Sequence, residues 1–130
     1  MFEAIDADPP VTIAEFDAFL EAQQDDSLRE LVGGRIVAMA NPTEDHEQIA
    51  GNIGAPLKVA MDPKGCRAYQ GGIRVQRSYN SRGQDKPCPD ILVRCGASGR
   101  RNYITDPLVV AEVLSPSTID VDRGDKLRFY

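Results

Sequence analysis

Apolar positions along this chain alternate between two periods, and the changes of period mark out its elements. Phe16, Phe19 and Leu20 share one face at helical spacing. Thr12 ahead of them and Glu15 three residues on form a capping box, and Val11 and Phe16 are placed as its hydrophobic staple. Leu28–Val32 and Arg35–Ala40 predict a hairpin around Gly33 and Gly34. A second helix is predicted to open at Pro42 and Thr43, with His46, Ile49, Ile53, Leu57 and Ala60 along one stripe. Gly51, Gly54 and Pro56 weaken that helix and invite a kink.

Strands follow. Arg67–Gln70 and the alternating segment Ile73–Arg77 lead through a polar connection, residues 78–87, to a strand at Ile91–Cys95. Residues 96–106 predict a basic, glycine-containing loop. Leu108–Leu114 is almost wholly apolar, the pattern of a central strand covered on both faces. Ser115 to Thr118 turns the chain into a last helix, with Ser117 and Asp120 as its capping box, running through Lys126 to Tyr130. Leu127, Phe129 and Tyr130 give it an apolar face with no C-cap after it, so the domain is expected to be incomplete at its C-terminal end. The order of elements predicts a mixed α/β fold, a sheet flanked by helices. Residues 1–11 read as an acidic leader and 12–130 as one domain.

At 130 residues the chain holds one core, and 42% hydrophobic with 27% charged residues is a globular balance. No run approaches the roughly 18 apolar residues of a membrane span, and the first residues lack the basic and apolar regions of a signal peptide. A cytoplasmic location without membrane contact is expected. Cys66, Cys88 and Cys95 form no CxxC motif, and His46 is the one histidine, which argues against a Cys/His zinc site and predicts three reduced structural thiols. The net charge of −5 is unevenly spread: residues 1–50 carry twelve acids and two bases, and residues 74–101 seven bases and two acids. The basic stretch surrounds Asp90 and is either a phosphate-facing surface or a solvated hairpin.

Two carboxylates carry the candidate chemistry. Asp90 follows Lys86-Pro-Cys-Pro at the start of one apolar strand, and Glu112 interrupts the other, Val109-Val-Ala-Glu-Val-Leu114. An ionised carboxylate taken from water costs several kcal/mol unless a cation meets it. Two of them one strand apart point to a divalent metal. Each has a plainer reading. Asp90 is also an ordinary strand-start aspartate, and Glu112 also suits a buried ion pair with Arg35, Arg74 or Arg94.

Several segments together resemble the Uma2 family of restriction-endonuclease-fold proteins, within the PD-(D/E)XK nuclease superfamily. They are the stretch from Arg29 to Val37, Asn41-Pro-Thr-Glu-Asp-His46, Pro89-Asp-Ile-Leu-Val93, Val110-Ala-Glu-Val-Leu-Ser-Pro-Ser-Thr118 and the stretch from Asp122 to Tyr130. The resemblance spans about residues 12 to 130 and implies a restriction-endonuclease-like core that cleaves DNA. It implies Mg2+ or Mn2+ held by Asp90, Glu112 and the carbonyl of Val113, oxygen donors suited to hard cations. The superfamily lysine two residues after the glutamate is here Leu114, and Lys126 on the last helix is the matching cation, to orient water or neutralise charge. Glu30 and His46 match further site positions.

Plainer readings stand beside these. Lys126 also suits an i,i+4 surface pair with Asp122, His46 a satisfied core position, and Glu30 an exposed hairpin. Two functions follow: a metal-dependent endonuclease, expected as a homodimer because cutting two strands takes two sites, or an inactive member that binds nucleic acid or oligomerises.

Overall fold

The computed structural model describes residues 9–76, 85–114 and 130. Helix α1 (Ile13–Ala22) begins with the reciprocal cap its sequence predicts. The Glu15 N–H donates to Thr12 Oγ1 at 3.1 Å, and the Thr12 N–H donates to Glu15 Oε1 at 2.9 Å. Phe16 is fully buried, with the Arg74 guanidinium 5.5 Å from its ring centroid. Phe19 stays partly exposed beneath the Arg29 guanidinium.

Strands β1 (Arg29–Val32) and β2 (Arg35–Ala38) form the expected antiparallel hairpin, with Val32 opposite Arg35. A two-residue turn needs two left-handed residues, which glycine supplies: Gly33 has φ 58° and Gly34 φ 75°. Gly34 is needed for space as well. A Cβ there would lie 2.5 Å from Pro10 Cβ, on the segment whose Val11 N–H donates to Gly34 O at 2.8 Å. Gly34→Ala is expected to cost about 1–3 kcal/mol, read as a lower urea midpoint; an unchanged midpoint would show that Pro10 moves aside freely.

Helix α2 (Glu44–Met61) starts at Thr43, whose hydroxyl accepts the His46 N–H at 3.2 Å. It continues as one helix through Gly51, Gly54 and Pro56. Its buried stripe differs from the predicted one. Ala50 and Gly54 are buried, while Ile49 and Ile53 are 46% and 38% exposed. Closeness explains the shift: a Cβ on Gly54 would stand 3.0 Å from Gln70 Oε1, so small residues decide which face meets the next strand.

That strand is β3 (Cys66–Gln70), entered through a single 3-10 turn at Asp62–Lys64. The short β4 (Arg74–Val75) comes next, then β5 (Ile91–Cys95), β6 (Tyr103–Ile104) and β7 (Val109–Ala111). The main sheet has the order β3-β5-β7, all antiparallel, and β4 pairs with β6 in parallel. β6 lies inside the stretch predicted as loop. The central strand is β5, not the 108–114 segment: Ile91, Leu92 and Val93 are at most 1% exposed. β7 is an edge among the described residues, with Leu108 59% and Leu114 43% exposed. An apolar run marks what a strand can bury, but its neighbours decide what it does bury. Leu92, Val75 and Ile104 form a core cluster against which Tyr69, Ile73, Val110 and Tyr130 pack. No helix among the described residues is long and apolar enough to cross a membrane.

One further expectation is corrected. The cysteines are not three free thiols: Cys66 and Cys95, directly opposite in the β3–β5 register, form a disulfide, and Cys88 remains a buried thiol. Among the described residues of the basic stretch, three of the bases are engaged with protein partners. Arg74 is buried and donates to the Arg29 carbonyl at 3.0 and 2.8 Å. Lys86 is buried with its Nζ 2.8 Å from Asp17 Oδ1, and Arg94 donates to Asp106 at 2.9 Å. Arg100 and Arg101 are exposed and lie in the connection between β5 and β6. Arg77 and Arg82 lie outside the described residues.

Candidate functional site

Lys86-Pro-Cys-Pro-Asp90 is a rigid approach to β5. Pro87, Cys88 and Pro89 are fully buried, and the two prolines restrict both their own backbone and that of the preceding residue. Glu30 fixes this approach from β1. It is 5% exposed, and its Oε1 accepts the Cys88 N–H at 2.9 Å. Glu30 is thus a buried anchor rather than an exposed hairpin residue. At the end of the approach, the Asp90 carbonyl accepts the Gly71 N–H at 2.9 Å.

The β5–β7 ladder ends beside both candidate carboxylates. Ile91 pairs with Ala111 as its last pair, so Asp90 immediately precedes the paired run of β5 and Glu112 immediately follows that of β7. Asp90 Oδ2 accepts the Val113 N–H at 2.7 Å, which ties the two strand ends together. Asp90 Oδ1 lies 3.1 Å from His46 Nε2. The first turn of α2 therefore reaches Asp90 through His46. Its other ring nitrogen is 3.3 Å from Glu47 Oε1.

Glu112 meets a partner not anticipated from the sequence. The Tyr130 hydroxyl donates to Glu112 Oε1 at 3.0 Å. Burial, and then the Glu112 carboxylate beside it, push the phenol far above its usual range, with Glu30 and Cys88 adding to the rise. The hydroxyl therefore keeps its proton and donates. Of the arginines considered for Glu112, Arg74 binds the Arg29 carbonyl and Arg94 binds Asp106. The signal that could have found Tyr130 was its polar tip on an apolar face, but nothing local linked it to residue 112.

Asp90, His46, Glu112 and Val113 are brought together, and Glu30 reaches the same region through Cys88 and Tyr130. Lys126, its alternative partner Asp122, and the capping pair Ser117 and Asp120 lie outside the described residues. Among the described residues, no three His, Cys, Asp or Glu side chains converge as metal ligands. The donors on hand are two carboxylates and a backbone carbonyl, all hard oxygens. Mg2+ is commonly held by one or two carboxylates with waters completing its octahedron, so the pair suits such an ion without a third side chain.

The fold is of the mixed α/β class. A crystal structure described as a "putative nuclease belonging to DUF820", from Anabaena variabilis, matches with a TM-score of 0.71 at 20% identity, covering 92% of this chain and 67% of that one. Likeness at that identity is one of fold. The Uma2 family model, described as "Putative restriction endonuclease", matches residues 13–130, and the chain belongs to this family. Among curated relatives, the Synechocystis "Uncharacterized protein slr1290" is 32% identical over 124 residues, 94% of this chain and 63% of that protein. A second Synechocystis protein, "Uncharacterized protein sll1609", is 24% identical over 124 residues, 92% of this chain and 67% of its own length. The chain thus spans about two thirds of the relatives it matches.

Proposed function

We propose that the protein hydrolyses phosphodiester bonds in DNA with a divalent metal, Mg2+ or Mn2+, held by Asp90 and Glu112. The observation that supports this reading is that Asp90 and Glu112 adjoin the last β5–β7 pair, with Asp90 Oδ2 bonded to the N–H of the residue after Glu112. The Val113 carbonyl would add a third oxygen. An ion bound there supplies Lewis-acid polarisation of the phosphate and a water activated at neutral pH.

The chain's own residues prepare the site. The Val113 amide and the His46 imidazole hold the two oxygens of Asp90, so the carboxylate has one orientation. Glu30 anchors the Cys88 backbone and with it the approach that delivers Asp90; its role is positioning. Lys126 is assigned the part of the superfamily lysine, orienting water or neutralising charge on the phosphate. Domain limits of 12–130, a cytoplasmic location and a homodimer with one site per strand complete the proposal.

The test is nicking of supercoiled plasmid in Mg2+. The expected result is cleavage that chelation stops and that Glu112→Ala abolishes; cleavage surviving Glu112→Ala would place the site elsewhere. A second reading, a nucleic-acid-binding or oligomerisation module without catalysis, is favoured by one observation. Both oxygens of Asp90 already have protein partners, so a metal must share or displace them. Calorimetry with Mn2+ separates the two: heat of binding that Asp90→Ala removes supports the nuclease, and its absence supports the module.

A further inference from the structure

We propose that Tyr130 is a positioning residue for Glu112, its hydroxyl fixing the orientation in which that carboxylate meets a divalent cation. The inference rests on the reading of Asp90 and Glu112 as a metal pair. Glu112 follows the last paired residue of β7, so the strand ladder does not orient its side chain. Tyr130 reaches it from the core. The ring is set against the Val75, Leu92 and Ile104 cluster, and the hydroxyl donates to Glu112 Oε1 at 3.0 Å. A ring wedged into a core has one place for its hydroxyl, so the packing of the cluster is transmitted to the carboxylate.

The type of donor matters. A lysine or arginine at this position would orient Glu112 but also cancel its charge, and would compete with an incoming cation. A neutral hydroxyl orients the carboxylate and leaves its charge in place. Asp90 is treated the same way on its inner side, where a neutral backbone N–H from Val113 takes Oδ2. The Tyr130 hydroxyl on Glu112 and the Val113 amide on Asp90 orient both carboxylates before a cation arrives.

The experiment is Mn2+ binding by the chain, followed by the electron paramagnetic resonance signal of free Mn2+, with a thermal melt of each variant alongside. Tyr130→Phe keeps the ring and removes the hydroxyl. It is expected to weaken Mn2+ binding about ten- to a hundredfold, the usual effect of removing a group that orients a metal ligand. Tyr69→Phe serves as control. It removes a hydroxyl from another ring packed on the same cluster, one bonded to Ser98, and should leave Mn2+ affinity unchanged. Binding that Asp90→Ala removes but Tyr130→Phe leaves intact overturns the role of Tyr130 while the metal site stands. No binding by the unaltered chain overturns the metal site and this inference with it. A check that needs no variant uses 13C-tyrosine label: the Tyr130 Cζ resonance should move in step with Mg2+ saturation, and a resonance that stays still overturns the proposal.

Discussion

Asp90→Asn is expected to leave the fold intact, with a melting temperature equal to or above that of the parent, and to lower DNA cleavage at least about a thousandfold, near 4 kcal/mol of transition-state stabilisation. The asparagine has the shape of the aspartate. Its carbonyl oxygen can accept the Val113 N–H, and its amide can donate to His46 Nε2 when the imidazole takes the tautomer that accepts there, so both contacts can be remade. What disappears is the negative charge. In the parent that charge and Glu112 flank the last pair of the ladder, and like charges held near one another repel. Neutralising one of them relieves the folded state and disables the site at once. A strut would behave in the opposite way. If Asp90 served only to fasten the strand ends, Asp90→Asn would change neither quantity much. Asp90→Ala would then lower stability by about 1–3 kcal/mol through the orphaned Val113 amide, with cleavage intact. Thermal melts and plasmid nicking on the same three proteins separate these outcomes.

The parts of the site legible in the sequence are those fixed by local chemistry and register. Thr12 with Glu15, and Gly33 with Gly34, act within a few residues, so the capping box and the hairpin could be read directly. Asp90 and Glu112 could be set at neighbouring strand ends because the one precedes an apolar run and the other lies in the next, and strands of one sheet pair. The failures have a common cause, the identity of distant neighbours. Hydrophobicity marked Ile49 and Ile53 as the inner face of α2, but contact with β3 selected Ala50 and Gly54 for their size. Hydrophobicity also marked 108–114 as the central strand, and sheet order gave that place to β5. The bond from Tyr130 to Glu112 and the pairing of Cys66 with Cys95 depend on which residues the fold brings opposite each other, which no local pattern contains.

That cysteine pairing carries the second large expectation: breaking the Cys66–Cys95 bond should cost about 3–4 kcal/mol of stability. The two residues are 29 apart in sequence, and a crosslink over a loop of that length removes conformational freedom from the unfolded chain to about this extent. For a domain stable by roughly 5–15 kcal/mol the loss is a large share. The bond joins β3 to β5 at the end of β5 away from Asp90, so its removal should loosen the sheet without touching the carboxylates directly. Cys95 is exposed and Cys66 buried, so a reductant reaches the bond from the Cys95 side. Urea unfolding of the Cys66→Ser, Cys95→Ser double variant, and of the parent with dithiothreitol, should show a midpoint lower by roughly 1–3 M than the oxidised parent. The double variant is the stricter comparison because Cys88 remains as the single thiol in both. Thiol counting in denaturant after rapid alkylation then decides which form cells contain. Disulfides persist in oxidising compartments and are rare in the reducing cytosol, so a cytoplasmic location predicts three alkylated cysteines and a protein working at its lower stability. One alkylated cysteine would mean that the bond is present where the protein works, and would count against that location.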